Sequence, residues 1–362
     1  MEYRTIEEWC EILDSQRIPI TAKNRIEGPY PYYGANGIQD YVNDYIFDDE
    51  LVLLAEDGGN FGSKDRPIAY RVSGKCWVNN HAHVLKPKNG LDVDYLCYSL
   101  MFYNTNGLVN GATRQKLTQS TMRTMKIPCL EINEQQEIVQ KIKKIESILN
   151  DLNGQLDLLD ELIKARFVEM FGDPVINDKE WPTVSVEKLC DEIYGGGTPS
   201  KAHEEYYEDG NIPWVSSKDM KKDVLTDSQI KINKLGIENS TARLVPVNSV
   251  IMVIRSGILK HTLPVAINAV PITVNQDLKV FIPGNKIISR FLAMQFKMHE
   301  KSILFGVRAV TADNIEFNSL KARKMIVPPL ELQNQFASFV EEIDKSRLLS
   351  NHSLFLIKSI IF

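Results

Sequence analysis

No apolar run approaches the roughly 18 residues needed to cross a bilayer, and the start, "MEYRTIEEWCEILDSQR", is acidic where a signal peptide would be apolar. Neither a membrane span nor a secretory leader is expected, and a cytoplasmic location is. Cysteine is scarce: Cys10, Cys76, Cys97, Cys129 and Cys190 are odd in number and form no C-x-x-C pair. That argues against a disulfide framework or a zinc knuckle and leaves ordinary reduced thiols. There is no G-x-x-x-x-G-K-[ST] loop, since "GGNFGSKD" at 58–65 has the glycines without a Gly-Lys pair. A G-x-G-x-x-G fingerprint is also missing, as is the Asn-Pro-Pro-aromatic tetrapeptide that amino-methyltransferases place around a target base. These absences disfavour a phosphate loop, a nucleotide-like cofactor and methyl transfer by this chain alone.

What is present is average for a soluble globular protein, with 43% hydrophobic and 25% charged residues. At 362 residues the chain is too long for one ordinary core, so two domains are expected. An internal repeat supports them. "WCEILDSQRIP" (9–19) is echoed by "LCDEIYGGGTP" (189–199), "YPYYG" (30–34) by "IPWVS" (212–216), "VNNHAHVLKP" (78–87) by "VNQDLKVFIP" (274–283), and "IPCLEINEQQEIV" (127–139) by "VPPLELQNQFASFV" (327–340). All four pairs keep their order. Between them lie "LVLLAEDGG" (51–59) and "SVIMVIRSG" (249–257), each a buried-strand pattern ending in a turn signal.

After each closing proline the pattern turns helical. Ile138, Ile142, Ile145, Leu149, Leu152, Leu156, Leu159 and Ile163 follow the alternating steps of a coiled-coil a/d seam. A cap near Asn133 with Gln136 as its partner is expected to start this helix, and "FGDP" (171–174) to stop it. So narrow a stripe needs a helical partner, and its own repeat supplies one: Phe336, Val340, Ile343, Leu354, Ile357 and Ile361 keep the spacing, with Arg347 and Ser350 interrupting.

The net charge of -5 argues mildly against nucleic acid, but its distribution is uneven. Residues 182–327 carry 19 Lys plus Arg against 15 Asp plus Glu, residues 1–126 carry 14 against 16, and residues 131–170 carry 5 against 9. One basic face per globular unit is enough to track phosphates, while polar side chains read base edges. Candidate DNA contacts lie in turn-rich polar stretches: Tyr32, Tyr33 and Asn36; Lys64 and Arg66; Asn80 and His81; Arg114, Gln115 and Lys116. In the second copy they are Trp214, Ser216, Ser217 and Lys218; Arg255 and Lys260; Gln276; and Arg308. His81 and His83 alternate and so could form half of a metal site, but the repeat places Asp277 and Lys279 there, and a lysine is no metal ligand. No metal site is expected. Glu56 and Asp57 before Lys64 faintly suggest a nuclease carboxylate cluster, which the second copy, with Arg255 and Ser256, does not repeat.

Two variable units, each closing in "IPCLEINEQ" or "VPPLELQNQ" before a long helix, resemble the specificity subunit of type I restriction-modification enzymes. The most specific element is the P-P-L-E-x-Q pattern, and the likeness covers essentially the whole chain. "YPYYGANGIQDYV" is similar to the start of a target recognition domain in that family and "GATRQKLTQSTMRTMKIP" to its close. The resemblance implies an α+β fold of two duplicated target recognition domains, 1–127 and 182–327, joined by two long antiparallel coiled-coil helices, 128–174 and a shorter 328–362, with pseudo-twofold symmetry. It further implies that each domain reads half of a split site in double-stranded DNA. The helices would set the gap and dock two methyltransferase subunits, to which restriction/translocase subunits attach. No cofactor is implied in this chain; S-adenosylmethionine, ATP and magnesium would serve the partners. One departure stands out: the second helix carries Arg347 and Ser350 in its seam and runs only to Phe362, while the first continues into "RFVEMFGDP". Competing readings are a self-contained DNA-modifying enzyme, weakened by the missing motifs, and a coiled-coil scaffold with two protein-binding heads.

Overall fold

The computed structural model describes residues 2–111, 115–305, 307 and 314–361, apart from the side chains of 355 and 358–361. The chain divides into two compact units, Met1–Asn150 and Asp151–Phe362.

In the first unit a six-stranded sheet has the order Cys10–Ile12, Ala82–Pro87, Phe47–Ala55, Ala69–Val78, Tyr30–Gly34, Gly37–Val42. The run "LVLL" forms the middle of the strand Phe47–Ala55, and because successive side chains point to opposite faces, it feeds two apolar layers. Val52 and Leu54 join Leu85, Leu96, Leu100 and Met122 on one side, while Leu51 and Leu53 join Phe47, Val72 and Val84 on the other. The first layer is closed by the helix Val93–Met101, whose N-cap Asp92 accepts from the amides of Asp94 and Tyr95.

The second unit repeats this frame. Cys190–Gly195, Leu278–Pro283, Val250–Val253 and Val265–Asn268 stand in the same order within a five-stranded sheet, completed by Val224–Leu225. A three-stranded sheet, Lys231–Ile232, Ile212–Val215, Thr273–Val274, holds separately the outer pairing that in the first unit is part of the six-stranded sheet. Matching pairings confirm the duplication: Cys10 opposes Pro87 as Cys190 opposes Pro283, and the parallel pair Tyr33–Val78 recurs as Val215–Val274. Each unit is also tied shut between its ends, Tyr3–Thr5 pairing antiparallel with Lys126–Pro128 and Thr183–Ser185 with Lys324–Ile326.

The repeated Pro-to-Gln stretch has a structural reason. Gln135 and Gln333 are fully buried. Gln135 donates to the carbonyls of Gly90 and Leu130 and accepts the amide of Asp92; Gln333 donates to Lys286 and Pro328 and accepts the amide of Ile288. Each glutamine therefore pins the start of a long helix to the N-cap of the helix that covers the sheet. Gln135→Leu removes three hydrogen bonds to main-chain groups and is expected to cost about 1–3 kcal/mol, read as a lowered urea midpoint. A substitution without effect would mean the clamp is redundant.

The first long helix is Ile132–Phe171, 40 residues. It starts one residue before the expected Asn133, and the box is closed by Glu134, which accepts the amide of Glu131, not by the exposed Gln136. The reason is that Gln135 is committed to the core. The helix ends at Gly172, whose φ of 74° places it in the left-handed region that favours glycine. Ile138 is half-buried beside the buried Val139; Ile142, Ile145, Leu149, Leu152, Leu156 and Leu159 are each half-buried between more exposed neighbours, and Ile163 is buried.

The second long helix is Leu330–Ile361. Phe336, Val340 and Leu354 are buried, and Ile343 and Ile357 half-buried. Within the second unit the two helices run antiparallel: Phe336 packs on Phe167 and Phe171, Val340 shares a core with Ile163, and further along Arg347 reaches Asp160. Arg347 does not break the seam. It occupies a seam position half-buried and meets Asp160 and Asp344, so charge pairing there replaces apolar contact.

Candidate nucleic-acid interface

The candidate loops converge at one end of each sheet, on a rim held by main-chain hydrogen bonds. In the first unit the amide of Asn79 donates to Tyr33, those of Glu56 and Asp57 to the carbonyl of His81, that of Leu117 to Glu56, and that of Gly58 to Gln115. Asn36 adds a side-chain bond to the Gly58 carbonyl at 3.0 Å. In the second unit Asn275 donates to Val215, Ile254 and Arg255 to Asp277, and Ile315 to Ile254. An isolated bridge joins Asp57 to Lys116 in one copy and Arg255 to Asn314 in the other. The two rims therefore share one backbone frame.

What they carry differs. On the first rim His81 Nδ1 lies 2.6 Å from Asp57 Oδ1. At the matching positions of the second rim Arg255 donates from Nε to Asp277 Oδ1 at 2.6 Å. The carboxylate and its nitrogen partner have exchanged strands. Behind the first rim His83 is fully buried, with Nδ1 2.6 Å from Asp14 and Nε2 2.9 Å from the carbonyl of Leu117. Both ring nitrogens are thus turned toward oxygen atoms, and the ring is fixed between the start of the sheet and the rim. Burial pushes the Asp14 carboxyl up, but the hydrogen bond and charge of His83, the Val84 amide and Arg17 outweigh it and hold the group below its usual range. At the position matching His83, Lys279 lies 4.6 Å from the centre of the Phe317 ring, and burial lowers its pKa.

Asp14, Glu56 and His83 have the composition of a metal site, with ligand atoms within 4.8 Å of one another. Their atoms are already engaged: Glu56 holds Arg17 at 2.6 Å and Lys116 at 3.0 Å, and Asp14 also accepts from Gln119 and Val84. Five donors so arranged make a network of ion pairs and hydrogen bonds that already occupies these ligand atoms. The two histidines do not form a pair, because His83 lies inside the sheet and His81 on its rim. The thiols are inert: burial pushes Cys10, Cys76, Cys97 and Cys190 up to about 12.

Two expected DNA contacts are corrected. Tyr32 and Trp214, equivalent in the repeat, are 1% and 5% exposed. The Tyr32 hydroxyl is bound between the amide and carbonyl of Ile20, and Trp214 Nε1 donates to Gly197. Each ring plugs its unit and anchors the segment before the strand. Tyr33, next along the pleat, is half-buried, and Asn36, Lys64, Arg66, Asn80, Gln115, Lys116, Lys218, Arg255, Lys260 and Gln276 are exposed. Ser216 and Ser217 are half-buried, and the Ser216 hydroxyl is committed to Asp219 at 2.8 Å. Arg114 and Arg308 lie outside the described residues.

Residues missed from the sequence are Asn79 and Asn275, both buried, whose side-chain oxygens accept the amides of His81 and Asp277 and shape the turn. The Val-Asn pair shared by "VNNHAH" and "VNQDLK" was the available signal.

Among the described residues no helix is long and apolar enough to cross a membrane. The family model for the type I restriction modification DNA specificity domain matches residues 1–159 and again 178–357. The Escherichia coli EcoR124I/EcoR124II type I restriction enzyme specificity subunit is 30% identical over 317 residues, 84% of this chain and 73% of that one. The MjaIX specificity subunit of Methanocaldococcus jannaschii is 23% identical over 316 residues, 81% and 72%. The crystal structure of a type I restriction-modification S subunit from M. genitalium has the same fold, with a TM-score of 0.58, 14% identity, and coverage of 99% of this chain and 93% of that one. With the specificity domain matched twice, once on each half of a structural duplication, this chain belongs to the type I restriction-modification DNA specificity family and is a specificity subunit.

Proposed function

We propose that each unit reads one half of a split site in double-stranded DNA through its loop rim, and that the chain performs no chemistry of its own. Methyl transfer and cleavage belong to partners: two methyltransferase subunits docked on the long helices, and restriction/translocase subunits attached to them, acting in the cytoplasm. S-adenosylmethionine, ATP and magnesium are used by those partners. The observation that carries the reading is the pair of rims, with the same backbone frame and different exposed side chains. Two readers of unlike half-sites need a constant scaffold and variable contacts. A partner that modifies a base must flip it from the stack, which leaves reading and catalysis to separate chains.

Methylome sequencing of cells expressing this chain with its methyltransferase partner is expected to show one two-part motif with an unspecified gap. A single undivided motif, or methylation by the chain alone, would contradict the reading. Deleting one heptad within 142–163 is expected to change the gap and leave both half-motifs as they were. Altered half-motifs would show that the helix does more than set spacing.

A further inference from the structure

We propose that Arg255 reads a guanine in the half-site of the second unit and that Asp277 is its positioning residue; this rests on the reading of the chain as a DNA-specificity subunit. Arg255 stands on the rim just past the strand Val250–Val253 and Ile254, with its side chain 47% exposed. Its Nε and Nη2 both lie 2.6 Å from Asp277 Oδ1. These two nitrogens form one edge of the guanidinium. The other edge, one N–H each from Nη1 and Nη2, is a parallel pair of donors that takes no partner among the described residues. That pair matches the O6 and N7 acceptors of guanine in the major groove, the commonest specific contact an arginine makes.

The buttress is itself fixed. The Asp277 amide donates to Asn275 Oδ1 at 3.1 Å, its Oδ2 accepts from Asn275 Nδ2 at 3.2 Å, and its carbonyl holds the amides of Ile254 and Arg255. Asn275 is 8% exposed and tied by its own amide to Val215 at 2.9 Å. The arginine is thus oriented from the sheet outward, which lowers the entropy lost when it meets a base.

The repeat supplies a second argument. A bridge that served only to hold the fold would keep its polarity when the frame around it is kept. Here the frame is the same to within a few tenths of an ångström in its hydrogen bonds, yet the first rim carries Asp57 where the second carries Arg255, and His81 where the second carries Asp277. Side-chain identity varies at this position while the main chain does not, which is the behaviour of a reading position. Lysine cannot replace Arg255, because a point charge does not make the paired contact.

The test uses the full chain with its methyltransferase partner and compares wild type, Arg255→Ala, Arg255→Lys and Asp277→Asn by methylome sequencing. Duplex competition adds a G·C pair changed one position at a time. Wild type is expected to discriminate about 5- to 150-fold at one G·C pair of one half-motif. Arg255→Ala and Arg255→Lys are expected to lose that discrimination with the other half-motif intact. Asp277→Asn is expected to keep the guanine preference at a reduced ratio and an unchanged melting temperature; a purely structural role would lower modification of every sequence alike. Arg255→Lys keeps the charge and the exposed surface, so it decides the matter even where the alanine variant folds poorly. If the lysine variant still selects the same base at every position, the assignment of Arg255 is wrong while the specificity reading stands. A wild type with no split motif would bring down that reading instead.

Discussion

Asp14→Ala is expected to destabilise the first unit by about 3–5 kcal/mol, the range for removing one partner of a buried charge network. The carboxylate is 3% exposed and accepts from His83, Val84 and Gln119, with Arg17 beside it. Without it His83 Nδ1, the Val84 amide and Arg17 lose a buried partner, and the contact of His83 with Leu117 that helps hold the rim loses the carboxylate that orients the ring. Urea unfolding, with hydrogen exchange over 80–87 and 115–119, measures the effect. A loss below about 1 kcal/mol would mean that the network is not mutually dependent. The pH dependence has a definite sign. The folded pKa of Asp14 lies below its ordinary 3.8, so the stabilisation is fully present above that value and fades as pH falls through the lowered one. Asp14→Asn should therefore flatten the loss of protection below about pH 4, and a variant with the same acid limb as wild type would place that limb elsewhere.

Phe167→Ala is expected to cost a further unit of similar size, about 3–5 kcal/mol, in the second unit. Its ring is fully buried, stacked on Phe291 at 5.3 Å and edge-on to Phe336 at 5.4 Å, with Phe171 at 5.1 Å. Removing it opens a cavity where the two long helices meet the sheet-covering helix Ser289–Met298. Hydrogen exchange should rise together in 160–171 and 333–345. A rise confined to one helix would show that the aromatic cluster does not couple them. The pair Phe167 and Phe171 sits one turn apart in "RFVEMF", so this joint was written at helical spacing in the chain.

Much of the architecture was legible because it depends on local period. The a/d seam from Ile138 to Ile163 follows from alternating steps of three and four, and the helix presents those residues to one side whatever surrounds it. The duplication was legible from ordered echoes, since a repeated set of strands must bury the same positions. The rim was legible only as loops. Asn80 was singled out and Asn79 passed over, although they are neighbours; one residue along an extended chain turns a side chain from solvent to core, and only the sheet says which. The same pleat put Tyr32 and Trp214 inside and left Tyr33 half-buried.

By itself, then, the sequence determined two copies of a sheet-bearing unit, each closing at a proline before a coiled-coil helix, because these rest on periodicity and on the order of apolar runs. Only the tertiary structure decided that Asp57 meets His81 and Arg255 meets Asp277 on one shared frame. Those pairs are separated in the chain and brought together by strand pairing, so no local pattern could have announced them.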